Sequence, residues 1–298
     1  MLGALTLDQL RVLVAIADSG SFSAAGRKLM RAQSAVSHAV QALERSQQVA
    51  LFDRGGRRPH LTPAGAALVL QARQVLRQAD LFERTAAGIA GGLEPELTLA
   101  VDALVATHPI IETLGGLMRQ FPDLVVNYRT EAIWGGEQRV RRAEATLAIC
   151  TLRPVEVQDL HATRLTHLEL VPVVAPSHPL AIEKGPIARD KLAAHVQLIL
   201  TNPDDASGIS YSVVSPRIWR FVDLARRLEF LLAGLGWGTM PRHSVAEHLR
   251  AGDLVALPID DPSIVPEPIP IYAAFHRDRP LGPAGAWLLD NLQRQRWP

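Results

Sequence analysis

The stretch SFSAAGRKLMRAQSAVSHAVQAL, Ser21 to Leu43, reads as two short helices joined by a tight turn near Arg31 and Ala32. Ser23 is placed to cap the first, because a serine hydroxyl accepts from a free backbone N–H at a helix start, and Ala24, Ala25 and Leu29 give that helix a small apolar face. The second helix is expected from about Gln33 to Gln47, where Val36, Val40 and Leu43 recur four and three residues apart as one apolar stripe. Its other side carries Gln33, Ser34, Ser37, His38 and Gln41. Short polar groups at the start of a second helix let the backbone approach a major groove closely enough to touch base edges, so the motif points to a DNA-reading helix-turn-helix.

Upstream, Leu7 to Ala17 puts Leu7, Leu10, Leu13, Val14 and Ala17 on one side, a helix that would close the small core under the reading pair. Downstream, Val49 to Phe52 and His60-Leu61 are strand candidates around Arg54-Gly55-Gly56-Arg57-Arg58-Pro59, a hairpin, or wing, with a basic tip. Arg31, Arg54, Arg57 and Arg58 are therefore candidates for phosphate or minor-groove contact, which adds affinity more than sequence discrimination. The formal net charge is only +1, yet residues 1–93 hold eleven Lys and Arg against six Asp and Glu, so the positive excess coincides with the helix-turn-helix.

Thr62 and Pro63 supply a capping hydroxyl and a proline at the first helical position. From there to about Ile89, Leu68, Ala72, Val75, Ala79, Phe82, Ala86 and Ile89 alternate four and three apart, a seam of roughly three heptads. A seam this regular calls for a partner helix, and a second copy of the chain is the most available one. A two-fold pair of reading helices would recognise an inverted repeat in double-stranded DNA.

Residues 5 to 77 resemble the N-terminal domain of the LysR-type transcriptional regulators. The residues that carry the resemblance come in order: Ala24-Ala25, Gln33-Ser34-Ala35-Val36-Ser37, Leu43-Glu44, Leu51-Phe52-Asp53-Arg54 and Leu61-Thr62-Pro63-Ala64-Gly65. Two positions depart from the family pattern: Gly26 stands where a helix former is usual, and Gln48 where glycine is usual, and both are expected to loosen the local geometry.

Past Gly91-Gly92 the pattern changes to alternating strands and helices. Leu97, Leu99 and Val101 alternate as a strand; Thr107 and Pro109 open a helix to about Phe121; Leu124, Val126 and Tyr128 form a strand; Trp134 to Arg142 a helix; Ala145 to Cys150 a buried strand. That order implies a parallel sheet with crossover helices. A second unit of the same kind is expected from Leu165, with strands at Leu168 to Val174 and Val196 to Leu200 and helices at Ile187 to Ala194, Asp223 to Ala233 and Ser244 to Ala251. The proline-rich run Asp260 to Pro270 would cross back, Ile271 to Phe275 would add a strand and Pro283 to Arg296 a last helix. The segments Ala175 to Leu180 and Ala233 to Pro241 are similar to the effector domain of the same family, which implies two α/β lobes like those of periplasmic solute-binding proteins. The expected fold is thus α/β overall: a winged helix-turn-helix over 1–62, a linker and dimerisation helix with hinge over 63–92, and an effector-binding domain over 93–298. Within the last, lobe I would be 93–164 and 268–298, and lobe II 165–267.

Ligands of open α/β sheets lie beyond the carboxyl ends of the strands. That rule places a cleft along Asp102, Ala103 and the residues up to Thr107, along Glu131 to Trp134, and along the loop from Thr201 and Asn202 to Ser207. Thr107 and the amides at the start of its helix could hold a carboxylate, an ionised Asp102 would oppose one, and Trp134 could cover a planar ligand.

Catalytic and cofactor patterns do not emerge. Gly234, Gly236 and Gly238 lack the glycine at Thr239 that a dinucleotide fingerprint needs, and the segment reads as a turn. His243 and His248 are five apart, not the four that aligns two ligands on a helix, and the sequence holds neither Gly-x-Ser-x-Gly nor a phosphate-binding Gly-Lys-Ser/Thr. The single Cys150 excludes an internal disulfide and fits a reducing, cytoplasmic setting; no apolar run reaches the roughly 20 residues of a membrane span. The chain therefore reads as a non-enzymatic, cofactor-free regulator of transcription. Its expected partners are DNA, a small-molecule effector and further copies of itself as homodimer or homotetramer, with RNA polymerase as a further candidate. A metabolite-binding protein of the solute-receptor class without a gene-regulatory role is the alternative.

Overall fold

The computed structural model describes residues 5–53, 59–153, 158–201 and 213–298. It divides into two compact units, residues 1–87 and 88–298.

The first unit begins with α1 (Leu7–Ser19), α2 (Phe22–Lys28) and α3 (Gln33–Gln47). Thr6 opens α1 with a capping box: its hydroxyl accepts the Gln9 amide at 3.2 Å while Gln9 Oε1 accepts the Thr6 amide at 3.0 Å. The buried side of α1 is Leu10, Val12, Leu13, Ala15 and Ile16, whereas Leu7 is exposed, so the stripe is rotated from the expected one. The cap of α2 is Ser21 rather than Ser23, because Phe22 already lies inside the helix; Ser21 Oγ accepts the Ala24 amide at 3.1 Å, and Ser23 instead accepts from Arg27. Val36, Val40 and Leu43 of α3 pack into the core as the periodicity requires.

The two departures from the family pattern have different consequences. A Cβ on Gly26 would come within 2.8 Å of the Arg31 carbonyl, and Gly26 O accepts the Arg31 amide at 2.8 Å, so this glycine permits the tight turn between α2 and α3 rather than loosening it. Gln48 ends α3 at φ 55°, in the left-handed region that favours glycine.

β1 (Phe52–Asp53) and β2 (His60–Leu61) pair antiparallel, Phe52 opposite Leu61. The basic tip between them, with Arg54, Arg57 and Arg58, lies outside the described residues. The 28-residue α4 (Pro63–Ala90) follows. Thr62 Oγ1 accepts the Gly65 amide at 2.9 Å and donates to the Ala50 carbonyl at 2.7 Å. A side chain on Gly65 is excluded outright, since its Cβ would sit 2.0 Å from the Leu51 oxygen. Val69 and Ala72 of α4 are buried, while Val75, Phe82 and Ile89 are exposed.

In the second unit, β3 (Glu96–Asp102), α5 (His108–Gln120), β4 (Val125–Glu131), α6 (Gly135–Arg141) and β5 (Leu147–Cys150) form the expected parallel series, β3 lying between β4 and β5. β6 (Leu160–Leu168) is a strand that the sequence pattern does not announce, and the chain passes from it at once into β7 (Leu170–Val174). After α7 (Arg189–Ala193) come β8 (Gln197–Leu200), β9 (Ile218–Phe221), α8 (Leu224–Leu232), β10 (Gly238–Pro241), α9 (Arg242–Ala251) and β11 (Val255–Ala256); β12 (Ile269–His276) and α10 (Pro283–Arg294) finish the chain.

The larger sheet runs β4-β3-β5-β12-β6, with β12 antiparallel to both neighbours. Lobe I is therefore mixed rather than parallel, and pairing of Leu168 with Ile269 carries it to Leu168 instead of ending it at 164. In lobe II, β7 runs antiparallel between β10 and β11, and β8 pairs parallel with β9, so this lobe is not a second copy of the first. One isolated bridge, Gln197 to Trp237, links β8 to the chain entering β10. Glu94 fixes the start of α10: its carboxylate accepts the Ala284 and Gly285 amides at 3.0 and 2.9 Å, favoured by the positive end of the helix.

Candidate DNA-reading face and effector cleft

In the first unit, the apolar stripe of α3 settles which side is left over. Burial of Val36, Val40 and Leu43 leaves Ser34 and His38 exposed on the opposite face and Ser37 half-buried at its flank, while Gln33, seven residues before Val40 and so on the side of the stripe, is exposed as the first residue of the helix. The N-cap of α3 is Ala32, which has no side-chain acceptor, so the first-turn amides are not covered by a cap. Arg31 lies beside this face but is engaged, its Nη1 donating to Asp8 Oδ2 at 2.7 Å; that bond raises the guanidinium pKa and holds the Asp8 carboxyl below its usual range. A phosphate at Arg31 would share it with Asp8.

In the second unit, a narrow cleft with a cavity volume of about 30 Å³ lies between the lobes. Leu104, Ile133 and Thr151 line it just past the carboxyl ends of β3, β4 and β5, and Gln197, Arg227 and Thr239 line it from lobe II. The strand-end rule therefore locates the cleft, but neighbours of the named candidates form its walls. Asp102 is buried behind Thr151: its Oδ1 accepts the Leu104 amide at 3.1 Å and its Oδ2 the Thr151 hydroxyl at 3.3 Å. Burial pushes its carboxyl up to about 6 against the lowering effect of those bonds. Ala103 is half-buried and its amide pairs with the Glu131 carbonyl at 2.9 Å. Thr107 is exposed at the start of α5 and its side chain makes no cap.

Trp134 is buried, sits at φ 65° at the start of α6, and the Arg153 guanidinium lies 4.9 Å from its ring centroid, so that ring face packs within the protein. Thr201 is half-buried, its amide donating to the Phe221 carbonyl at 2.8 Å. Asn202 and Ser207 lie outside the described residues.

Thr151, Gln197 and Arg227 line the cleft in addition to the residues that the sequence singles out. Arg227 alone had a readable signal: it falls three after Leu224 and four before Leu231, on the apolar side of its helix, where a cation is out of place. The glycines of the 234–238 segment also have distinct duties. Gly234 turns at φ 74°, while a Cβ on Gly236 or Gly238 would lie 2.5 Å from the Val196 oxygen or 2.6 Å from the Leu198 oxygen, so both admit the backbone of β8.

A helix-turn-helix unit followed by a two-lobed α/β unit with a cleft defines a DNA-binding protein with a ligand-receiving domain. Comparison with known proteins agrees. Residues 7–66 match the family described as bacterial regulatory helix-turn-helix protein, lysR family, and residues 90–297 match the LysR substrate binding domain. The HTH-type transcriptional regulator YhaJ of Escherichia coli O157:H7 is 30% identical, covering 98% of this chain and 97% of its own length. PunR of E. coli K12, also an HTH-type transcriptional regulator, is 30% identical over 95% and 91%. Among solved structures, a Corynebacterium glutamicum OxyR C206 mutant aligns with TM-score 0.59 and 25% identity, covering 97% of this chain and 92% of that one. The chain belongs to the LysR family: it is a DNA-binding transcriptional regulator with an effector-binding domain. No helix among the described residues is long and apolar enough to cross a membrane.

Proposed function

We propose that this regulator reads an inverted repeat as a two-fold pair, with Gln33, Ser34, Ser37 and His38 facing bases and Arg31, Arg54, Arg57 and Arg58 facing phosphates or the minor groove. The observation that carries this reading is the exposed polar start of α3, with Ser34 and His38 opposite its buried stripe, Ser37 flanking it and Gln33 open at the first turn. Uncapped first-turn amides beside that face suit a phosphate. The exposed Val75, Phe82 and Ile89 of α4 support pairing through this helix, because leaving them in water forfeits apolar burial that a second copy provides.

The domain limits follow as proposed at 1–62, 63–92 and 93–298, with the lobe boundary moved to Leu168. A small molecule held between the lobes by Thr151 and its neighbours would favour one lobe arrangement over another and so shift a population of DNA-bound states. Assembly of dimers into a tetramer through the effector domains and contact with RNA polymerase belong to the same reading, as do a cytoplasmic setting and the lack of enzymatic turnover.

Purified protein mixed with sheared genomic DNA of its source tests this. Sequencing of the retained fragments is expected to return a short inverted repeat, with affinity falling steeply as salt rises. Retention with no enriched sequence would contradict it.

A further inference from the structure

The side chain of Arg227 takes an unusual course. It leaves the apolar side of α8, passes the strand edge where β8 and β10 separate after their single bridge, and reaches the interlobe cleft. It is only 4% exposed. Its Nε donates to the Leu198 carbonyl at 3.0 Å, where a continuing parallel ladder would present an amide of β10. Gly238 makes the passage possible, since a Cβ there would lie 2.7 Å from Arg227 Nη2.

A guanidinium carries five N–H donors, and the Leu198 carbonyl takes one. Among the described residues no carboxylate pairs with Arg227, in contrast to Arg141, which lies between Glu137 and Asp159. Burial lowers its pKa to about 10, which leaves it charged at neutral pH. A buried cation without a counter-charge is costly to keep, and the cost is relieved when an anion arrives in its fork. Thr151 and Thr239 on the facing walls add neutral hydroxyls at the same cleft.

We propose that Arg227 is the specificity-determining residue of the effector cleft and that the effector carries a small oxyanion, a carboxylate or a phosphate, which the guanidinium receives. This rests on the reading of the interlobe cleft as the effector site. The side chain's terminal nitrogens form a fork, and a planar carboxylate or two oxygens of a phosphate match it.

Thermal melting of the full chain tests the inference, with acetate, succinate and inorganic phosphate set against acetamide and succinamide at constant ionic strength. At least one anion is expected to raise the melting temperature saturably, the amides are not, and Arg227→Gln is expected to weaken the anion about tenfold or more. Succinate against phosphate then distinguishes the two oxyanion classes. Circular dichroism checks that the variant folds; if it does not, the comparison of anions with amides on the unaltered chain decides alone. Amides matching the anions, an anion response retained in Arg227→Gln, or no response to any anion would overturn the inference. The cleft reading is judged separately, by whether a low-molecular-weight cell extract changes operator affinity: a change with no anion response sinks the role of Arg227 and leaves the effector reading standing.

Discussion

Glu44 Oε1 accepts the Leu51 amide at 2.9 Å and the Phe52 amide at 3.3 Å, tying the last turn of the reading helix to the strand that begins the wing. The acidic residue of the Leu43-Glu44 pair is thus a bracket between α3 and β1. Glu44→Ala leaves two partly buried amides without this acceptor and is expected to destabilise the first unit by about 2 kcal/mol. Glu44→Gln, which keeps an acceptor oxygen, should lose less. Urea unfolding of the three proteins checks the order, and equal midpoints would contradict it.

Gln48 occupies a left-handed conformation at φ 55° as the C-cap of α3, and its amide donates to the Glu44 carbonyl. A non-glycine residue there costs about 1 kcal/mol, partly offset by the greater unfolded-state freedom of glycine. Gln48→Gly should therefore stabilise the protein by roughly 0.5–1 kcal/mol. A fall in melting temperature would show that the Gln48 side chain makes a larger contribution than the backbone strain removes.

Asp102 titrates at about 6 in the folded chain against 3.8 as a free group. The folded state thus holds a proton that the unfolded chain has released, so stability falls as pH rises from about 4 to about 6 and then levels. A tenfold difference in proton affinity between the two states corresponds to about 1.4 kcal/mol, so the loss across this window is roughly 3 kcal/mol. Asp102→Asn keeps an acceptor for the Leu104 amide and carries no charge, so it should abolish that part of the slope. Urea midpoints measured from pH 4.5 to 7 should diverge between the two proteins as pH rises; parallel profiles would exclude Asp102 as the source.

Phe82 is exposed midway along the outer half of α4, between the exposed Val75 and Ile89. Phe82→Glu places a charge in the proposed seam and is expected to shift the chain toward monomer in light scattering, weakening operator binding together with dimerisation. An unchanged mass would remove α4 from the interface.

The helix-turn-helix was legible because its elements are local: the period of Val36, Val40 and Leu43 and the Thr62-Pro63 start depend on near neighbours in the chain. Ser21 was missed as a cap because Phe22 looks like the residue before a helix until it packs edge-to-face on Phe52, 5.3 Å between centroids. The lobes were harder. β6 is exposed or half-buried at every residue between its buried ends and lacks an apolar alternation, and only its long pairing with β12 reveals it. The cleft followed from the strand-end rule, but which side chains face it depends on the turns after each strand, so Asp102 turned inward behind Thr151. Arg227 enters the cleft only because Gly238, on another strand, leaves room, a pairing that local pattern does not contain.

The central claim, that the exposed start of α3 reads bases, is tested most directly by in vitro selection of binding sites with the unaltered chain and with Ser34→Ala. The expected result is an inverted repeat for the first and a changed base preference at symmetric positions of each half-site for the second, with overall affinity reduced only modestly. An identical preference in both proteins would contradict base contact by Ser34 and remove the main support for this docking of α3.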